Sequence, residues 1–308
     1  MALGDLLLDV VVAPEGRIEK GSDVPGKLSF RRGGSAATTA AVFVRLGGSA
    51  ALITSLGDDY WSGRLLASLR ADGVRVHALR EHGRSGRLAA IVDRRGERSF
   101  VTERGAADAL RPADIKAGWL RGAAVFHVPA YSLFNEPIAS ASLTAAGMAH
   151  DAGAIVSTDV SSSGPLLSFG IGRARARFAD LSPDVLFANR DEAAALVGRP
   201  DRRAWPDLLS VAPLVVVKDG VSGCCVLWRA GDDEAGEVRR VDVAARRVGA
   251  VDSTGAGDAF AAGFLFSLLG SGRAIDARRA QALRGAARAG HRAAADALRR
   301  ERPELDLR

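Results

Sequence analysis

From about residue 113 onward, short apolar, β-prone runs alternate with stretches of helical length. The runs at 123–128, 154–159 and 185–188 are each followed by enough chain for a helix before the next run, as at 136–152 and from near Asp191, and a further run stands at 214–218. Strands spaced this way cannot be joined by tight hairpins. They pair in parallel, with the crossover helices packed on the sheet. The same order holds earlier: a run at 6–12 reads as a strand buried on both faces. A helix then starts near Ser35 and stops at Gly47/Gly48, followed by a strand at 50–55 and a helix to about Ala71. Runs at 223–228 and 237–243 and an Ala/Arg-rich helix from 274 to about 299 close the chain.

Two stretches break the rhythm. Residues 13–30 are polar and punctuated by Pro14, Gly16, Gly21, Pro25 and Gly26. Runs at 87–92 and 98–103 flank a D-R-R-G-E turn and predict a hairpin. Together they predict a small separate sheet, a lid inserted at about 13–30 and 78–104 in one domain spanning 1–308. Within the first stretch, G-S-D-V-P-G-K-L imitates a phosphate-binding loop. Leu28 stands where a Mg²⁺-binding hydroxyl is needed and no helix follows Lys27, so that reading is rejected.

At 308 residues the chain can bury a large core. No apolar run approaches the roughly 20 residues of a membrane span, and the first residues, M-A-L-G-D, lack a basic leader. Cys224 and Cys225 are adjacent in an apolar run, as buried thiols in a reducing compartment are. The expectation is a cytoplasmic protein without a membrane partner. The net charge of +6 rests almost entirely on arginines scattered over many segments, without interleaved aromatics. That pattern fits solvated helix faces, and nucleic acid is not expected as a partner.

The chemistry concentrates at 251–269, V-D-S-T-G-A-G-D-A-F-A-A-G-F-L-F-S-L-L. Gly255, Ala256 and Gly257 leave backbone N–H groups exposed just before an all-round apolar, buried helix. Such donors, with the helix dipole behind them, bind phosphate. Asp258, set among them, is expected to stay readily ionised and to accept a proton from an attacking hydroxyl. Taken by itself, the segment also fits an ordinary helix N-cap. Asp9 interrupts the apolar first run, where a carboxylate needs a partner or a ligand. A strand-end Asp bonded to nearby backbone is the plain alternative. The small residues 35–40 either admit a ligand or pack tightly on the sheet.

G-G-S-A-A-T-T-A-A-V-F-V-R-L-G at 33–47 and D-S-T-G-A-G-D-A-F at 252–260 together resemble the paired signatures of the ribokinase-like (PfkB) carbohydrate kinase family. The order between them, with N-R-D-E at 189–192 and K-D-G-V-S-G at 218–223, extends the resemblance over nearly the whole chain. It implies an α/β fold: a three-layer α/β/α core with a mainly parallel sheet and a small β-sheet lid that often forms a homodimer interface. It also implies transfer of the γ-phosphoryl group of ATP to a hydroxyl of a small sugar or sugar-like molecule. By that resemblance Asp258 is the base, and Gly255, Ala256 and Gly257 form the anion hole. Asp9, Gly33, Gly34 and Thr38 line the sugar, with Thr38 where many members have Asn. Lys218, Gly220, Gly223 and Asn189 line the nucleotide. Asn189 and Glu192 organise Mg²⁺ through water, and Asp252 with Thr254 holds an activating monovalent cation such as K⁺. Asp219 stands where an apolar residue is usual.

Other readings remain open at this level. A nucleoside kinase needs an apolar or aromatic wall, for which Arg104, Tyr131 and Phe169 are candidates. A phosphosugar substrate needs converging cations, for which Arg31, Arg32 or Arg104 could serve. A non-catalytic sugar or nucleotide sensor would be expected to have lost the base or the anion loop.

Overall fold

Alternate residues of the central strands face opposite ways, and both sets are apolar. In the run Val185–Asn189, Val185 and Phe187 join one core cluster while Leu186 and Ala188 join another. In Leu214–Lys218, Leu214 and Val216 pack with the first set, Val215 and Val217 with the second. A strand covered on both faces must lie inside a sheet with helices above and below. The computed structural model describes all residues except 94–97, 231–235, 246–247, 250–252, 271–279 and 307–308.

In chain order the described strands are β1 (Ala2–Leu3), β2 (Leu7–Pro14), β3 (Gly26–Gly33), β4 (Ala51–Gly57), β5 (Arg75–Glu81), β6 (Arg87–Val92), β7 (Arg98–Glu103), β8 (Val125–Pro129), β9 (Ile155–Asp159), β10 (Val185–Asn189), β11 (Leu214–Lys218), β12 (Cys224–Arg229) and β13 (Val238–Val243). The helices are α1 (Ser35–Arg45), α2 (Tyr60–Ala71), α3 (Ala117–Leu120), α4 (Ile138–Asp151), α5 (Ser163–Phe169), α6 (Ile171–Leu181), α7 (Arg190–Val197), α8 (Ala256–Gly270) and α9 (Ala280–Arg299). The large sheet runs β13-β12-β11-β10-β9-β8-β1-β4-β5, parallel from β11 to β5, with β12 and β13 antiparallel at one edge. Helices α4, α6 and α7 cover one face; α8 and α9, continued by α1 and α2, cover the other. This is the expected three-layer α/β/α arrangement. The small sheet runs β3-β2-β6-β7.

Two expectations are corrected. The run 6–12 is not a core strand: β2 pairs antiparallel with β3 and belongs to the small sheet, while the two-residue β1 takes the core position. Residues 75–81 are not part of the interruption but form β5, the parallel edge of the large sheet beside β4. The turn expected between β6 and β7 and the first residues of the expected last helix lie outside the described residues. Helices α5 and α6 were not anticipated; Gly164, Pro165, Gly170 and Gly172 mask them, and Gly170, with φ at 98°, is the hinge between the two.

Candidate active site

Crossover connections place the loops after parallel strands along one edge of the sheet, which is where open α/β sheets bind ligands. Here Asp159 ends β9, Asn189 ends β10 and Lys218 ends β11, with Asn189 and Lys218 paired in register. Above this edge opens a cavity of about 1330 Å³, large enough for two small ligands. Every described residue singled out from the sequence as catalytic, substrate-binding, nucleotide-binding or metal-organising lines it. Asp252 lies outside the described residues.

The two signature segments meet there. Helix α1 lies against α8, so that the Ser35 hydroxyl donates to Asp258 Oδ1. Gly255 adopts φ of 78°, a left-handed conformation that a side chain would strain, and a Cβ there would press on Thr38. Asp258 sits in the first turn of α8, half-buried, at the positive end of the helix. The expectation that it stays readily ionised is corrected. Burial pushes its carboxyl up to about 7, against the Ser35 hydrogen bond that pulls it down. The charge of Asp159 adds to the rise, and those of Lys218 and Arg302 oppose it. At that value the group can both take and release a proton near neutral pH.

At one end of the cavity Asp9 is 4% exposed, wedged against Gly33: a Cβ at Gly33 would overlap its carboxylate. Gly34, with φ of 103°, lets the chain turn into α1 directly over the Asp5 carbonyl. Thr38 donates its hydroxyl proton to Gly34 O at 2.8 Å, so it offers the cavity an acceptor. Nothing in the sequence pointed to Arg302, whose guanidinium lies 2.5 Å from Asp9 Oδ2.

At the other end, Lys218 Nζ pairs with Asp159 Oδ2 at 2.5 Å. Burial works against the Lys218 ammonium, but the charges of Asp159 and Glu192 outweigh it and raise its pKa. Asp159 was also missed by the sequence reading; its only signal was a carboxylate closing a β-prone run, which the structure buries throughout. Asn189 and Glu192 form a capping box on α7: Glu192 N–H donates to Asn189 Oδ1 at 2.9 Å, and Asn189 N–H donates to Glu192 Oε2 at 2.7 Å. Burial, then the charge of Asp159, lifts the Glu192 carboxyl well above the usual range, with Lys218 opposing. Gly220 and Gly223 shape the turn beyond Lys218. The departure at Asp219 has a local cause, since its carboxylate pairs with Arg190 at 2.8 Å and Arg202 at 2.9 Å. The Thr254 hydroxyl accepts from Arg98 of β7, which ties the small sheet to the start of α8.

The basic groups considered for a phosphosugar are engaged elsewhere. Arg31 pairs with Glu301 at 2.9 Å, Arg32 with Asp72 at 2.6 Å, and Arg104 is clamped by both Asp5 and Asp108. Of the candidate wall residues, Phe169 stacks on Phe134 at 4.8 Å and Tyr131 lies alongside in the same cavity.

Comparison with known proteins agrees with this geometry. The model of the pfkB family carbohydrate kinases matches residues 1–306. Fructokinase-2 of Oryza sativa subsp. japonica is 30% identical over 279 residues, covering 87% of this chain and 79% of that one. The crystal structure of adenosine kinase from Sinorhizobium meliloti superposes with a TM-score of 0.81 at 28% identity, covering 98% and 94% of the two chains. Fructokinase from Vibrio cholerae O395, solved with fructose, ADP and calcium ion bound, shares the fold at a TM-score of 0.75 and 22% identity, covering 97% and 93%.

Proposed function

The chain belongs to the pfkB family of carbohydrate kinases, phosphotransferases with an alcohol acceptor, and from that premise we propose that it moves the γ-phosphoryl group of ATP to a hydroxyl of a free sugar, fructose first, with Asp258 as general base. The observation that carries this reading is the position of Asp258 between two chemically different ends of one cavity. It feels the charge of Arg302, beside Asp9, and that of Lys218, on the opposite side.

In this mechanism Asp9 accepts from sugar hydroxyls and fixes the ring against Gly33 and Gly34. Asp258 draws the proton from the attacking hydroxyl as the new P–O bond forms and the bond from the γ-phosphorus to the bridging oxygen of ATP breaks, releasing ADP, while the backbone N–H groups of Gly255, Ala256 and Gly257 hold the transferred oxygens. Phosphoryl transfer needs little more than alignment and charge stabilisation of this kind. Lys218, Gly220 and Gly223 line the nucleotide end. Burial first, and then the charge of Asp159, raises the Glu192 carboxyl; the two carboxylates are hard oxygen groups of the kind that suit Mg²⁺ held through water. When bound, Mg²⁺ neutralises charge on the ATP phosphates. The K⁺ expectation rests on the backbone at Thr254 and on Asp252, which lies outside the described residues.

The outer face of the small sheet exposes Leu28 and Val101, and we assign it to a homodimer contact that closes the sheet over the sugar as a lid. Cys224 and Cys225 are buried, and burial pushes both thiols up to about 12, which suits the cytoplasm. A second reading, nucleoside phosphorylation, draws support from the Phe134–Phe169 stack in the cavity and the likeness to an adenosine kinase.

The test is ADP release from Mg·ATP with fructose, glucose, ribose and adenosine, each scored by kcat/KM. Fructose is expected to lead by at least about tenfold. Adenosine leading would transfer the assignment to the second reading, and silence with all four would defeat both.

A further inference from the structure

The hydroxyls of the first signature segment at the acceptor end spend their protons inside the protein. Thr38 spends its proton on Gly34 O, and Ser35 spends its own on Asp258. Asp9 can only accept when ionised. A sugar ring offers oxygens that need donors as well as hydroxyls that need acceptors, so one side of the recognition is unfilled by these residues.

Arg302 stands where that donor belongs. It lines the cavity with Asp9, and its side chain is 20% exposed against 6% for that of Asp9. The pairing is not a chance approach of a loose chain, because the segment around it is anchored on both sides. Before it, Glu301 pairs with Arg31, the residue opposite Asp9 in the β2–β3 register. After it, Glu304 bridges Arg31, Leu305 N–H donates to Phe30 O at 2.7 Å, and the Leu305 side chain is 7% exposed in the cluster under β2 and α2. Further on, Arg64 donates to Asp306 O at 2.9 Å. Since Asp9 is itself wedged by Gly33, both members of the pair are fixed.

We infer that Arg302 is a specificity-determining residue of the acceptor site: with Asp9 it forms a donor–acceptor couple that reads neighbouring oxygens of the sugar, and segment 300–306 is part of the substrate site. A guanidinium carries five donors in a planar fork, so bonding to one Asp9 oxygen is compatible with donation to a substrate oxygen. The couple also compensates for Thr38, which lacks the amide that both donates and accepts. This inference rests on the sugar-kinase reading.

The test is steady-state kinetics with D-fructose and its monodeoxy analogues, on wild type, Arg302→Ala and Arg302→Lys. Arg302→Ala is expected to raise KM for fructose about tenfold or more, with KM for ATP within about twofold. Arg302→Lys, which keeps the charge but loses the fork, should fall between. For one monodeoxy analogue, the one lacking the oxygen that Arg302 reads, the difference between wild type and variant should vanish. A merely structural role would penalise all analogues alike. If Arg302→Ala fails to fold, as seen by thermal melting, the Lys variant and the analogue series decide the matter. Wild-type turnover with unchanged or lower KM in the variants overturns the inference while leaving the kinase reading intact. Lower KM would make Arg302 a plug on Asp9. Wild type inert toward fructose and its analogues overturns both.

Discussion

A carboxyl that titrates near neutrality is a measurable property of a single residue, and Asp258 has one for a physical reason. Burial is the largest cause of its rise to about 7. As a general base it must be deprotonated, so kcat/KM for the sugar is expected to climb with pH through about 7 and flatten above it. A profile flat from pH 5.5 to 8.5 would remove Asp258 from that role. The linkage to stability has the opposite sign from that of a salt-bridged Asp. Between the ordinary value of 3.8 and about 7 the native state binds the extra proton. Its contribution to stability is therefore greatest below that window and declines as pH rises through it. Asp258→Asn, which carries no charge to bury, should raise the melting temperature relative to wild type more at pH 8 than at pH 5. The reverse order would mean that the native site favours the carboxylate. At this scale the place of Asp258 at a helix start was legible, because an anion loop and a helix start are local patterns. Its protonation was not, because it depends first on burial and then on Ser35, Asp159, Lys218 and Arg302, which are distant in sequence and meet only in the fold. Arg302 itself sits in a segment with no motif.

The elements were legible wherever burial follows period or length. Strands β10 and β11 are apolar at both parities because helices cover both faces, and α1, α2 and α4 begin and end close to where caps and glycines put them. The two strand failures share one cause: local pattern does not say which sheet a strand joins. The start of β2 is covered on one side by α2, through Leu8 and Val10, and on the other by the cavity, so it reads like a core strand. Strand β5 carries Arg75, Arg80 and Glu81 because it is an edge, where charges guard against further pairing. Helix packing supplies a test at the same scale. Gly263 in α8 faces α9 so closely that a Cβ would lie 2.7 Å from Ala289 O and 2.7 Å from Ala293 Cβ. Helix propensity alone predicts a gain of about 1 kcal/mol for Gly263→Ala. Overpacking against backbone costs about 1–3 kcal/mol and should win. Urea unfolding is expected to show net destabilisation; a stabilised variant would mean that α8 and α9 can separate at little cost.

For the whole molecule, the small sheet matters because it carries Asp9 and, through Arg98, touches the start of α8. Its outer face presents Leu28 at 64% and Val101 at 67% exposure, a surface that a second copy would cover. Light scattering on a sizing column is expected to show a dimer, reduced to monomer by Leu28→Glu with Val101→Glu. A monomeric wild type would rule out this contact. One cavity joins the Asp9 end to the phosphate end, with Asp258 between them, and the decisive comparison is the rate of fructose phosphorylation by wild type and by Asp258→Asn at saturating Mg·ATP and pH 8, with fructose affinity measured separately by calorimetry. With Asp258 as the base, kcat is expected to fall by about 10²–10⁴ while fructose binds within about threefold of wild type. A variant that phosphorylates fructose at the wild-type rate would contradict it.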